Sequence, residues 1–118
     1  MAYTVIFYES EDGEKPVEEF LDSLNKIQKG KAIRLIEILE SLGHSTPFPY
    51  SSQIQGKLRE LRTQAGKEKI RLLYYAASDR AYVILHGFIK RTSKAPEDAI
   101  KTALNRMRDH EDRLRRAK

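Results

Sequence analysis

Three cations stand close together where an apolar stretch of the chain ends, at Lys90, Arg91 and Lys94. Lysine binds phosphate as a point charge, and arginine binds it through a planar fork of donors. Residues 83–89 before them are mostly apolar, so we expect a buried strand to deliver the cations to one place. The pattern predicts a phosphate clamp.

Arg71 is a second candidate, because it lies within the apolar and aromatic run Ile-Arg-Leu-Leu-Tyr-Tyr of residues 70–75. A charged side chain in such a run is seldom buried unless it is paired. Two interpretations stay open. Arg71 forms an ion pair with Glu60 of the preceding charged segment, or it faces a groove and takes part in function.

Several kinds of active site are excluded by what the sequence lacks. There are no cysteines, which excludes disulfides, thiolate metal sites and a cysteine nucleophile. The three histidines (44, 86 and 110) are too far apart in sequence to form a zinc-binding spacing with one another. Glycine loops for nucleotide phosphates and the Gly-x-Ser-x-Gly motif are also absent. Any catalysis must use Arg, Lys, Glu, Tyr or His without a metal or cofactor.

The charge of the chain is segregated along its length. Residues 1–56 carry a net charge of −4, residues 57–118 carry +9, and the whole chain carries +5. A basic half of this kind favours a polyanionic partner such as RNA or DNA, although a solvated basic surface is the other interpretation. No apolar run is long enough for a membrane span and no signal peptide is recognisable, so we expect a cytoplasmic protein.

The elements that must position these residues follow from the hydrophobic pattern. Helices are predicted for residues 16–24, 31–42 and from Pro96 onward, with a link at 25–30 and a loop at 44–56. Strands are predicted for residues 3–8, 57–62, 68–76 and 81–90. The order β-α-α-β-β-β-α predicts a single α+β domain over residues 1–118. In it, an N-terminal helical hairpin and a C-terminal helix pack against an antiparallel sheet.

Four segments carry a resemblance to a known family. They are Leu58-x-Glu60-Leu61-Arg62, Arg71-x-x-Tyr74, Leu85-His86-Gly87-Phe88-x-Lys90-Arg91-Thr92-x-Lys94-x-Pro96 and Ile100-x-x-Ala103-x-x-Arg106. In this order and spacing the chain resembles the phage-derived HigB-like branch of the RelE/ParE toxin superfamily. Two positions depart from that pattern: Ala95 replaces the usual threonine, and Arg91 replaces a common lysine.

The resemblance implies a RelE-like fold and the toxin of a type II toxin–antitoxin system. It implies a metal-independent endoribonuclease that cleaves mRNA on the ribosome, and a helix-turn-helix, HigA-like antitoxin as partner. On this interpretation Arg71 stabilises transition-state charge, and Lys90 and Arg91 clamp the phosphate. Glu60 is either a base or a partner that orients the arginines. The residues expected to bind RNA are Arg59, Arg62, Tyr74, Lys94 and Arg106.

Two other functions remain open from the sequence. A basic α+β domain of the same fold could bind nucleic acid or protein without catalysis, because a phosphate clamp serves both purposes. A metal-dependent nuclease needs clustered carboxylates, and here the acids lie mostly in the N-terminal half or on the last helix. For Tyr74 and His86, a role in the core is the alternative to a role at the site.

Overall fold

The computed structural model describes residues 2–93 and 96–117, which form a five-stranded sheet with three α-helices. The strands are β1 (Thr4–Phe7), β2 (Ser51–Gln55), β3 (Leu58–Ala65), β4 (Glu68–Ala76) and β5 (Ala81–Lys90). The helices are α1 (Pro16–Ser23), α2 (Lys26–Leu42) and α3 (Glu97–Arg116), and a 3₁₀ turn at Gly43–Ser45 follows α2. The predicted α+β class is confirmed.

The sheet is mixed, with the strand order β1-β5-β4-β3-β2. Strands β2 to β5 form an antiparallel meander, but β1 pairs in parallel with β5, from Thr4↔Ala81 to Phe7↔Ile84. The prediction of an antiparallel sheet is therefore wrong at β1. The direction of β1 is set by its pairing with β5, which lies more than 70 residues later in the chain. The local alternation of side chains does not predict such a long-range pairing.

Strand β2 corrects the predicted loop at residues 44–56. Its sequence Ser-Ser-Gln-Ile-Gln is polar because β2 is an edge strand, with β3 on one side. Backbone pairing holds it, beginning at Ser51↔Leu61. Prolines 47 and 49 lie just before the strand, where they do not interrupt its hydrogen bonds.

Residues 25–30, predicted as a link, are the start of α2. The side chain of Asn25 accepts from the backbone N–H of Gln28, and the side chain of Gln28 accepts from the backbone N–H of Asn25. This reciprocal capping box begins the helix at Lys26 and carries Gly30 inside it. At the other end α2 stops at Gly43, which has a φ of +52°, a conformation that favours glycine.

Two hydrophobic cores lie on opposite sides of the sheet. Helices α1 and α2 cover one face, where Leu21, Leu35 and Leu39 pack with Ile70 and Leu72. Helix α3 covers part of the other face, where its buried residues Ala99, Ala103 and Met107 pack with Leu58, Leu73 and Tyr75. No helix in the described residues is long and apolar enough to cross a membrane.

An irregularity in β5 decides which of its residues face α3. Leu73 pairs with His86 but Tyr74 pairs with Ile84, so Leu85 is an extra residue on β5. Tyr82 and Ile84 belong to the core under α1 and α2, and simple alternation would place His86 there too. The extra residue shifts the phase, so His86, Phe88 and Lys90 lie on the α3 face.

Candidate functional site

Helix α3 covers only part of one face of the sheet. The part of this face that α3 leaves uncovered is rich in cations. The register places on this face Glu60 and Arg62 from β3, Lys69 and Arg71 from β4, and His86, Phe88 and Lys90 from β5. We call these seven residues the basic sheet face. Arg62 is the cross-strand partner of Arg71, and Lys69 is the partner of Lys90. Like charges directly opposite each other destabilise a sheet, and a bound anion would relieve their repulsion.

Arg71 is held rigidly and is only 5% exposed. Its Nη1 donates to the carbonyl oxygens of Thr63 at 3.0 Å and Ile70 at 3.1 Å, while its Nε has no hydrogen-bond partner within the described residues. Burial lowers the pKa of Arg71, and the nearby Glu60 carboxylate opposes that shift. Arg71 is thus a nearly buried guanidinium whose Nε, itself buried, donates to no described residue.

Glu60 forms its ion pair with Arg62, while its charge also acts on the nearby Arg71. Its Oε1 lies 3.4 Å from Nε of Arg62, in an ion pair without hydrogen-bond geometry, and its side chain is 13% exposed. Among the described residues Arg71 forms no ion pair with Glu60. Of the two interpretations of Arg71, the structure therefore agrees with a groove. The groove is an open cleft of about 290 Å³, in which Arg62 and Arg71 lie beside Tyr50 and Pro49.

His86 is fixed by Arg106 of α3. Nη1 of Arg106 lies 3.1 Å from Nδ1 of His86 and also donates to the carbonyl of Leu85 at 2.9 Å. Because a guanidinium only donates, Nδ1 must be the acceptor, which leaves the proton of the neutral ring on Nε2. Burial, with the charge of Arg106, lowers the pKa of His86 to about 4. At neutral pH His86 is thus a donor through Nε2 and a poor base.

The predicted phosphate clamp lies at the end of β5, in an open cleft of about 420 Å³ that we call the strand-end cleft. It is lined by Lys67, Glu68, Lys69, Lys90, Arg91, Thr92 and Ser93. Lys90 belongs to the basic sheet face, whereas the exposed Arg91 pairs with Glu68 at 3.5 Å. Lys94 and Ala95 lie outside the described residues.

Three other residues predicted to bind RNA have partners within the fold. Tyr74 is 2% exposed and its hydroxyl lies 2.6 Å from Ser51 Oγ, so its ring has no free face for a base. Arg59 also contacts Ser51 and lies on the sheet face under α1 and α2. Arg106 connects α3 to β5 and stacks over the ring of Tyr8 at 5.7 Å.

Aromatic residues that were not predicted from the sequence surround the cations. The guanidinium of Arg62 stacks over the ring of Phe48 at 5.2 Å, and both Phe48 and Tyr50 are exposed. Phe88 stacks on His86, with ring centroids 5.7 Å apart. For Phe88 the sequence did contain a signal, the i, i+2, i+4 spacing of His86, Phe88 and Lys90. Alternate residues of a strand share a face, so this spacing predicts that the three side chains lie together.

A metal centre finds no support in these residues. Within residues 2–93 and 96–117, no group of three or more His, Asp or Glu side chains could hold a metal ion. The charged groups that share this face are Arg62, Lys69, Arg71 and Lys90 with one carboxylate, Glu60. This set can bind a phosphodiester and stabilise extra negative charge on it.

Comparison with known proteins places the chain in a family. No curated protein matches the sequence. Residues 19–108 match the family described as phage-derived protein Gp49-like (DUF891). The matched region begins in α1 and extends into α3, so it includes all seven residues of the basic sheet face. The chain belongs to the Gp49-like family of phage-derived proteins.

Proposed function

We propose that this protein is the toxin of a type II toxin–antitoxin system, with a RelE-like fold of the HigB-like branch. It acts as a metal-independent endoribonuclease that cleaves mRNA, bound on the ribosome in the cytoplasm, and a helix-turn-helix antitoxin neutralises it. Support comes from the family match together with the four sequence segments that resemble this branch.

The basic sheet face is the observation that carries the proposal. Arg62 and Arg71 lie opposite each other, as do Lys69 and Lys90, and Glu60 is the only carboxylate among the seven residues. Exposed aromatic side chains at Phe48 and Tyr50 lie beside the arginines. Proteins hold single-stranded RNA by combining cations, which bind its phosphates, with aromatic rings, which stack on its bases.

Cleavage proceeds by attack of the ribose 2′-oxygen on the adjacent phosphorus. The P–O5′ bond breaks, and the products are a 2′,3′-cyclic phosphate and a 5′-hydroxyl. Either Glu60 takes the 2′-hydroxyl proton, or Glu60 orients Arg62 and a solvent water takes that proton. Arg71 stabilises the extra negative charge on the phosphorane, and Lys90 binds the phosphate and supplies a proton to the leaving 5′-oxygen. His86 donates a hydrogen bond from Nε2.

Growth after induction tests this function. We expect the parent chain to stop growth of a bacterial culture and Arg71→Ala, expressed to the same level, not to stop it. Arg71→Lys keeps the positive charge. It therefore distinguishes the loss of the part that the guanidinium plays in cleavage from the loss of a buried positive charge. Arg34→Ala is the matched control, because Arg34 is exposed on α2 and its one ion pair among the described residues is with Glu37 at 3.8 Å. A folded parent that leaves growth unchanged would contradict the proposal.

A binding module of the same fold is the second candidate, and the contacts of Arg71 favour it. Two carbonyl oxygens already accept from Nη1 of this residue, as in an arginine that only supports a loop or strand. The two functions differ in what Arg71→Lys does to RNA. If the protein is a nuclease, Arg71→Lys keeps the RNA affinity of the parent chain and loses cleavage. If it is a binding module, neither the parent chain nor Arg71→Lys cleaves RNA.

A further inference from the structure

A second cavity lies on the opposite side of the sheet from the basic sheet face. It has a volume of about 170 Å³ and is bounded by the 3₁₀ turn after α2 and by strands β2 to β5. Its polar lining consists of His44, Thr46, Ser51, Arg59, Tyr74 and Tyr82. Drug-sized ligands occupy about 300–1,000 Å³, so this cavity fits a single small group.

Tyr82 lines this cavity, and its hydroxyl is buried without a partner in the described residues. The residue is 2% exposed. A buried polar group without a partner costs about 1–3 kcal/mol, so such groups are usually satisfied. Burial raises the pKa of Tyr82 to about 12, which keeps the hydroxyl protonated and able to donate.

Arg59, Ser51 and Tyr74 form a chain of hydrogen bonds that ends at the same cavity. Nε and Nη2 of Arg59 donate to Ser51 Oγ at 3.2 and 3.0 Å, and Ser51 Oγ lies 2.6 Å from the Tyr74 hydroxyl. The two guanidinium N–H groups fill the acceptor positions of Ser51, so Ser51 donates its own proton to Tyr74. The hydroxyl proton of Tyr74 then remains for another acceptor.

His44 closes the cavity at its exposed side. Its Nε2 lies 3.2 Å from the carbonyl oxygen of Asp79, so Nε2 carries a proton and donates it there. The His44 ring packs edge-on against Tyr82 and Tyr3, with centroids 5.3 and 5.9 Å apart. These contacts hold the Tyr82 ring at the cavity wall. No carboxylate lines the cavity.

We propose that this cavity binds a small oxyanion, namely a phosphate group, either free or at the end of a nucleotide. Arg59 supplies the positive charge, and the hydroxyls of Tyr74 and Tyr82 supply neutral donors. A phosphate offers several acceptor oxygens, so one ligand satisfies all three groups at once. The site is separate from the basic sheet face, and the proposal does not depend on ribonuclease activity.

Amide NMR of the full-length chain tests the proposal. Inorganic phosphate is added against chloride at constant ionic strength, and adenosine monophosphate is added in a second series. We expect saturable shifts at the amides of Gly43, His44 and Ser51. Equal affinities for the two ligands indicate that free phosphate suffices, and tighter binding of the nucleotide indicates a terminal phosphate.

Variants of the cavity make the test specific. Tyr82→Phe removes only the unpaired hydroxyl, so it should weaken phosphate binding about tenfold, the usual effect of losing a hydrogen bond to a charged group. Tyr3→Phe is the matched control, because Tyr3 packs on Tyr82 at 5.8 Å but does not line the cavity. Arg59→Gln, which removes the charge, should abolish binding. Shifts that never saturate, or that persist in Tyr82→Phe at full affinity, would overturn the proposal.

Discussion

Lys90 and Arg91 are neighbours in sequence but differ in their surroundings. Lys90 lies on the basic sheet face, while Arg91 is exposed and pairs with Glu68 at 3.5 Å. Lys90→Ala should therefore reduce the rate of RNA cleavage by at least about tenfold, whereas Arg91→Ala should reduce it by less than about threefold. The measurement is single-turnover cleavage of one RNA by both variants. If Arg91→Ala loses more cleavage rate than Lys90→Ala, the phosphate clamp lies on the side of Arg91 and not on the basic sheet face.

His86 should make stability depend on pH in weakly acidic solution. Its pKa is about 4 in the folded chain and about 6.5 when unfolded, so between these values only the unfolded state takes up the proton. The free energy of unfolding is therefore intact above about pH 6.5 and falls as the pH drops toward 4. The full difference in pKa corresponds to about 3 kcal/mol, which solvent screening of the half-buried ring reduces to the order of 2 kcal/mol. Urea unfolding at several pH values measures this slope.

His86→Asn is the comparison for that slope. The asparagine oxygen can still accept from Arg106, but the side chain does not titrate. The variant should show a shallower loss of stability with acid. His110, whose pKa burial also lowers, remains in both proteins and contributes equally. Identical slopes in the two proteins would show that His86 is not the titrating group.

Gly87 tests the packing of α1 against the sheet at the scale of single elements. A Cβ at this position would lie 2.3 Å from Cδ2 of Phe20, so Gly87→Ala should lower the free energy of unfolding by about 1–3 kcal/mol. Gly30→Ala is the matched control. It lies inside α2 with open space around its Cβ position, so alanine there should stabilise by about 0.5–1 kcal/mol. Chemical denaturation measures whether the free energy of unfolding falls in Gly87→Ala and rises in Gly30→Ala.

Elements with a strong local pattern could be predicted from the sequence. Strands β4 and β5 have the predicted bounds, because they are apolar runs ended by polar turns. Strand β2 was missed, since a polar edge strand is held by backbone pairing and lacks an apolar stripe. The start of α2 was placed too late, because Gly30 and the polar residues around it obscured the capping box at Asn25.

The candidate site was only partly predictable for a similar reason. The types of its cations could be read from the sequence, and Arg71 and Lys90 do share a face. Lys90, like His86 and Phe88, reaches that face only because the extra residue Leu85 shifts the phase of β5, and this extra residue has no sequence signature of its own. Tyr50 and Phe48 come from the segment before β2 and reach the site only through the fold.

At the scale of the whole molecule, the segregated charge should govern RNA affinity. All seven residues of the basic sheet face come from residues 57–118, which carry a net charge of +9. The affinity for a 2′-O-methyl RNA, which cannot be cleaved by 2′-oxygen attack, should fall linearly as salt rises on logarithmic axes. Lys69→Ala should reduce that slope by about 0.7, the value for one phosphate contact in single-stranded RNA.

Arg34→Ala is the control for the salt experiment, because it removes one positive charge from α2 on the other side of the molecule. Its slope should equal that of the parent chain. If both variants change the slope equally, affinity depends on net charge alone, and the basic sheet face has no special part in binding.

Analysis of RNA ends tests the central claim most directly. The purified chain is treated with EDTA, freed of the chelator, and then incubated with translating ribosomes and mRNA, beside Arg71→Lys prepared in the same way. We predict new fragments that carry 2′,3′-cyclic phosphate and 5′-hydroxyl ends with the parent chain and none with the variant. Fragments with 5′-phosphate ends, or equal cleavage by both proteins, would contradict the assignment of Arg71 to a metal-independent ribonuclease site.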